Sequence, residues 1–313
     1  MTSRAWRALA LSALALLVLP FTTNCARKPV PKPQEVTFWV FSPVSAIQPL
    51  VRQFEAENPT IHVDVKALDE PGGRDTLALA VFSRNAPPDL CELPSRYVSH
   101  FMVHGALSDW SAGVADLRSG SNGWDMCMVG DAIYGLPWRL DTRALYYNKT
   151  LFQRAGLDST RAPETWTDLR AAAARIQKLR GGLHGYALPA DSAGMFEQFV
   201  PYAWSNGGEI LSAGADSSRF DSPENRATLE FLLALRASSM LGREALLDSE
   251  FVAGQLGMRL AGCALAARLA RAESGPRFGV GLVPRPDTDT GTHASLLEGD
   301  VLVSFTSSRR KED

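Results

Sequence analysis

Over residues 36–65 the hydrophobic spacing of the chain changes twice. Val36–Phe41 (VTFWVF) is β-branched and aromatic, of strand length, and predicts a buried strand. After Pro43 and Ser45, the residues Ile47, Leu50, Val51 and Phe54 fall at i, i+3, i+4 and i+7. That is an amphipathic helix, stopped by Asn58-Pro59. Ile61–Val65 then alternates apolar and polar side chains, as a second strand does. Strand, helix and strand at this spacing form a βαβ unit, which implies a parallel sheet with crossover helices.

The α/β pattern continues. A helix is expected from Gly73 to Asn85, a strand around Leu90–Leu93, and a helix from Tyr97 to Val103 that stops at Gly105. Tyr134–Trp138 breaks the pattern, and Ala144–Asn148 follows as a strand. Thr165, with Asp168 in the box position, caps a helix whose stripe is Leu169, Ala172, Ala173, Ile176 and Leu179; Gly181-Gly182 ends it. Tyr186–Leu188 is a short strand and Phe196–Trp204 a helix. Ser222-Pro223-Glu224 opens another helix, expected to reach Met240. Phe278–Pro284 and Asp300–Phe305 are late strands.

With 45% hydrophobic and 21% charged residues, a disordered or collagen-like chain is excluded. Lys plus Arg total 32 against 34 acidic residues, a net charge of −2, so there is no polybasic footprint and nucleic acid is not expected as a partner. The length of 313 residues suits two domains. Arg4 and Arg7 precede an apolar run, Ala8–Leu19, which is short for a membrane span and reads as an export signal. Cys25 stands where a bacterial lipoprotein is cut and acylated. Residues 26–35 are a Pro/Lys tether, so the expected mature protein is exported and lipid-anchored, in the periplasm or on the outer face of the membrane. For Cys91 and Cys127, a disulfide and two buried free thiols are both open readings. His100 and His104 share a helix face but lack a third ligand; no metal site and no cofactor are expected.

The ordered segments VTFWVF, FEAENPTIHV, PPDL, YGLPWRLDTRALYYNKTLFQRAGL, APETWTDLRAAAARI, WSNGGEIL, FDSPENRATLEFLLAL, GQLGMRLAGCALA, FGVGLVPRP and LEGDVLVSF carry a resemblance. In that succession the chain resembles the extracellular solute-binding proteins of ABC importers, the carbohydrate-type branch that includes maltose-binding protein. The likeness runs from Val36 to Phe305, and Tyr134–Leu157 is its most specific part. It implies a two-lobed periplasmic-binding-protein-like (type II) α/β fold, with ligand in the cleft and closure by hinge motion. The expected division is a signal peptide at 1–25, the tether at 26–35, a first lobe at 36–142, a second at 143–284, and a return crossing with the last first-lobe strand at 285–313. The implied partners are a carbohydrate and the ABC permease subunits, with the binding protein itself a monomer.

In such proteins sugars stack on aromatic rings and their hydroxyls meet planar polar side chains. The resemblance therefore offers Trp39 and Ser42 after the first strand, and Glu92, Ser95, Arg96 and Tyr97 after the third. It adds Trp138, Arg139 and Asp141 at the first crossing, Trp204 and Asn206 in the second lobe, and Glu298 before the last strand. Each has a plainer reading: Trp39 as core, Trp138 as hinge packing, Asp141 as a turn former, Trp204 as helix-end packing. Relatives carry a stacking tryptophan where this chain has Gly262-Cys263-Ala264. They also add C-terminal helices beyond the strand matching Val301–Phe305, so a shortened, less stable and weakly binding form is expected here. Two other readings compete: a non-transporting relative acting as an interaction or sensing module, and an exported glycosidase. No acid–nucleophile pair, GxSxG elbow or P-loop supports an enzyme.

Overall fold

The computed structural model describes residues 33–69, 72–120 and 122–308. Residues 1–32 lie outside that description, and with them the export signal, Cys25 and most of the tether. The expected βαβ unit is present: β1 (Gln34–Val40) and β2 (Ile61–Ala67) pair in parallel, joined by α1 (Val44–Glu57). Pro49 removes one donor from inside α1, and the helix is held by Ile47 and Val51, packed against Phe38 and Val40. α2 (Gly73–Phe82) leads to β3 (Leu90–Pro94), parallel to β1, and α3 (Ser95–Val103) follows.

A hairpin of β4 (Met128–Val129) and β5 (Ala132–Ile133) precedes β6 (Leu136–Thr142). The chain then builds a second set of elements. These are β7 (Ala144–Asn148), α4 (Lys149–Arg154), α5 (Trp166–Gln177), β8 (Tyr186–Pro189), α6 (Ser192–Ser205) and α7 (Pro223–Leu235). They continue with β9 (Ser239–Gly242), α8 (Glu244–Val252), β10 (Met258–Ala261), α9 (Cys263–Arg271) and β11 (Phe278–Gly281). β12 (Leu297–Val303) returns to the first sheet and runs antiparallel to both β3 and β6. The first sheet has the order β2-β1-β3-β12-β6; the second set holds β10-β7-β11 and the parallel pair β8-β9.

The caps follow the sequence. Thr165 Oγ accepts from the Asp168 N–H at 3.2 Å, and Ser222 Oγ from the Asn225 N–H at 3.2 Å. The helix expected to reach Met240 stops at Leu235, because Ser239–Gly242 leaves it to pair with β8. Ladder hydrogen bonds and burial outweigh helix propensity there.

β7 is buried on both faces. Leu145 and Tyr147 enter the larger core with Leu169, Ile176 and Tyr202, while Tyr146 enters a smaller one with Phe251 and Leu265. On the first sheet, Leu93, Phe101, Val301 and Val303 make the core on one face. The other face carries the small cluster of Phe38, Val40, Ile47 and Val51, beside an apolar groove of about 760 Å³. Cys91 and Cys127 are free thiols inside the first core; burial pushes Cys91 well above the usual thiol range and Cys127 up to about 11. His100 and His104 both pack edge-on to Phe82. Among the described residues no helix is long and apolar enough to cross a membrane.

Candidate functional site

A strand alternates its side chains, so Arg139 and Asp141 leave β6 on one side and Trp138 and Leu140 on the other. Arg143, just past the strand, continues the Arg139–Asp141 series. These three side chains organise two charged clusters where the chain crosses between its sheets.

The first cluster sits at the carboxyl ends of β1 and β3, where open α/β sheets hold their ligands. Glu92 is 0% exposed and accepts from Ser42 twice, from N at 3.0 Å and from Oγ at 2.6 Å. Arg139 Nη1 donates to Ser42 Oγ at 3.0 Å, while its Nη2 pairs with the buried Asp300 and lies 3.9 Å from Glu92. Sequence reading had Ser42, Glu92 and Arg139 as separate candidates; the fold joins them and adds Asp300.

The second cluster centres on Arg143, which sequence reading missed. Its Nη2 donates to both Glu197 on α6 and Glu298 on β12, and Nη1 lies 3.8 Å from Glu244 at the start of α8. Glu244 in turn accepts from Arg259 at 2.5 Å, and Arg259 pairs with Asp248 at 2.8 Å. Burial pushes Glu298 up to about 7, against the opposing pull of Arg143, with the charges of Glu197 and Asp141 adding to the rise. Glu197 is raised by the same balance, burial first, and Arg96 pulls both carboxyls back down. The alternation of polar residues at 139, 141 and 143 was the available signal for Arg143. Glu197 had none, because α6 is apolar on most of its surface.

Asp141 bridges the two crossings. It stands opposite Glu298 in the β6–β12 register and accepts from the Cys263 N–H at 2.8 Å, at the start of α9. Gly262 makes this approach possible, since a Cβ there would lie 2.0 Å from the Asp141 carboxylate. Ser95 Oγ accepts from the Gly299 N–H at 3.3 Å, which sets the start of α3 beside the return crossing. Arg96 lies over the Tyr97 ring at 4.6 Å, and Tyr97 meets Phe41 at 6.0 Å. Trp204 is 36% exposed and sits seven positions after Glu197, on the same face of α6.

Three sequence candidates stand apart from this group. Trp39 packs on the first core beneath the Lys66 ammonium, 3.9 Å from its ring centre. Trp138 lines the apolar groove with Val36, Phe38 and Leu302. Asn206 spends its amide on the Glu224 carbonyl at 2.9 Å, fastening the end of α6 to the start of α7.

Two α/β units joined by crossing strands, with polar side chains converging at the crossings, suit capture of a small solute. Residues 41–248 match the family model of the bacterial extracellular solute-binding proteins. The chain belongs to that family. A binding protein of Brucella abortus (strain 2308) is 25% identical across all of this solute-binding protein and 76% of its own length. An ABC transporter solute-binding protein from Thermotoga lettingae TMO, solved with α-D-tagatose, superposes with a TM-score of 0.74 at 25% identity, over 90% of this chain and 74% of that one. The sugar-binding protein MalE of Xanthomonas citri gives 0.74 at 26% identity, over 89% and 72%. The fold is therefore the two-lobed one. Family and fold alike are those of binding proteins that work outside the cytoplasm.

Proposed function

We propose that this protein is the substrate-binding component of an ABC importer and that its solute is a neutral sugar or oligosaccharide. The carrying observation is the charge of the cleft. Glu92, Asp141, Glu197, Glu298 and Asp300 face Arg96, Arg139 and Arg143, and the last two guanidiniums already hold carboxylates. Such a surface accepts hydrogen bonds from hydroxyl groups and repels a phosphorylated or carboxylated ligand. The ring of Trp204 supplies the apolar face on which a pyranose stacks. The relative solved with α-D-tagatose and the sugar-binding protein MalE support the same class.

In this reading the solute touches Ser42, Ser95, Arg96, Tyr97, Arg139, Asp141, Glu298 and Trp204, with Arg143 and Glu197 added, while the fully buried Glu92 holds Ser42 and Arg139 in place beneath them. The lobes are residues 36–142 with 285–313, and residues 143–284. The protein acts as a monomer, delivers its solute to permease subunits, and is held at the membrane by a lipid on Cys25. Cys25→Ala should release it into the soluble exported fraction; unchanged membrane association would refute the anchor.

A thermal-shift screen of neutral sugars, polyols and sugar phosphates tests the ligand class. A neutral sugar at 100 times its Kd should stabilise the fold by about 2.7 kcal/mol. Trp204→Ala should weaken that binding by about 1–3 kcal/mol, by analogy with other planar groups stacked on aromatic side chains. A response confined to sugar phosphates would overturn the charge argument.

A further inference from the structure

Arg143, the hub of the second cluster, is itself held from behind. Its Nη1 faces Glu244 Oε1 at 3.8 Å, and the other oxygen of that carboxylate, Oε2, accepts from Arg259 Nη2 at 2.5 Å. One glutamate thus bridges two guanidiniums, one at the crossings and one beneath them. Arg259 lies on β10 between the apolar Met258 and Leu260, opposite Tyr146 of β7, and its side chain is only 2% exposed. Its Nη1 pairs with Asp248 at 2.8 Å, and its Nε has no partner among the described residues. Asp248 also holds Arg268 at 3.1 Å. A guanidinium is costly to bury, and an apolar side chain of similar volume would fill the same space without that cost. What the arginine adds is a fixed grip on Glu244, whose own side chain is 42% exposed.

We propose that Arg259 is a positioning residue for the solute site: by gripping Glu244 it keeps that carboxylate off Arg143, so that the Arg143 guanidinium stays on Glu197 and Glu298. Three carboxylates compete for that guanidinium, from α6, from β12 and from the start of α8. Glu197 and Glu298 both accept from Nη2, whereas Glu244 stands 3.8 Å from Nη1, beyond hydrogen-bond reach. The difference is Arg259, which already meets the charge of Glu244 from the other side. Attraction between opposite charges strengthens as they approach and as water is excluded. Without Arg259, Glu244 would close on Arg143 and draw it from the crossings. Glu197 and Glu298 would then lose part of their shared cation, and the pattern of oxygens offered to a hydroxyl group would change. Arg259 touches no solute in this arrangement; it acts through Glu244. The plainer role of clamping α8 to β10 is served by Asp248, and does not call for a glutamate with one oxygen toward each arginine.

This inference rests on reading the crossings as the solute site, but its test needs no solute, so failure of the positioning and failure of sugar binding can be told apart. The probe is the proton. Carboxyl 13C NMR of the full chain follows Glu197, whose equilibrium answers to burial and to the charges of Arg143, Glu244, Arg96 and Asp191. In Arg259→Met its midpoint should rise by about half a unit, a roughly threefold tighter hold on the proton, as Arg143 withdraws and Glu244 draws near. In Glu244→Gln the midpoint should fall, and adding Arg259→Met to that variant should move it no further. Asp248→Asn loosens the clamp on α8 but leaves the grip on Glu244, so it should leave the midpoint in place. Three results would overturn the proposal: a midpoint unmoved by Arg259→Met while the melting temperature drops, a rise that persists in the Glu244→Gln background, or an equal rise in Asp248→Asn. Should Arg259→Met fail to fold, Arg259→Lys keeps the buried charge and loses the two-armed fork. It should give a smaller rise of the same sign, and no rise there would equally overturn the proposal.

Discussion

The two charged clusters at the crossings use the same residue types and differ in what surrounds them. Glu92 is sealed beneath its partners: a backbone N–H and a hydroxyl bind it, and Arg139 lies 3.9 Å away. Glu298 shares its guanidinium with Glu197, is 26% exposed and is pushed up to about 7. The first cluster has its charge matched by fixed donors and acts as structure. The second, like the first, shares one guanidinium between two carboxylates, but burial holds the Glu298 carboxyl up near neutrality. The lesson is that burial and the number of donors, rather than residue type, decide whether a carboxylate holds a fold or responds to its surroundings.

The strongest break in this comparison should come from Glu92→Ala. It leaves the Ser42 N–H without its buried acceptor and Arg139 with Asp300 as its remaining carboxylate partner. A loss of about 3 kcal/mol is expected in chemical denaturation. A loss below about 0.5 kcal/mol would show that the first cluster is not structural.

Next comes the second cluster's response to pH. The Glu298 carboxyl lies above its ordinary value of 4.5 in the folded protein. The folded state therefore binds the proton more tightly, and this group's contribution to stability falls as pH rises from about 4.5 to about 7. Glu298→Gln should flatten that part of the stability profile, as read from melting temperatures across the range. Arg143→Met should move the Glu298 midpoint upward by roughly one unit, since it removes the nearest cation. A downward shift would contradict the assigned balance of forces.

A smaller effect is expected at Asp141, which joins the clusters. Asp141→Ala removes the acceptor for the first turn of α9 and should cost about 1 kcal/mol, with Asp141→Asn costing less. Equal losses in the two variants would place the role of Asp141 in its charge instead of its hydrogen bond. The least effect on binding belongs to Trp138→Ala. Trp138 is 37% exposed and faces the groove of the first sheet, so affinity for a sugar found in the screen should stay within about twofold of wild type. A loss comparable to that of Trp204→Ala would move the solute site to the groove side of β6.

Much of the fold was legible because local rules and tertiary packing agree. The βαβ unit at residues 36–65, the caps at Thr165 and Ser222, and the strand at Ala144–Asn148 all follow from spacing and residue type. β9 falls where the sequence predicts the end of a helix, because Ser239–Gly242 has no strand signature of its own; its partner β8 lies some fifty residues earlier. α8 is short and weakly periodic, and GQLGMRLAGCALA announces β10 and the start of α9 only by resemblance.

For the site, the sequence by itself determined which residue types reach the crossings. The run Arg139-Leu140-Asp141-Thr142-Arg143 commits alternate charges to one side of a strand, and Glu92 follows the apolar Leu90-Cys91 into the sheet. Only the tertiary structure decided their partners. Ser42 and Glu92 are 50 residues apart, Arg143 and Glu298 are 155 apart, and Asp141 and Cys263 are 122 apart. No local pattern encodes such a meeting, since each side chain's environment comes from another segment folding back. The same geometry sends Trp138 to the groove and sets Trp204 on the Glu197 face of α6, a distinction that two tryptophans in a one-dimensional sequence cannot carry.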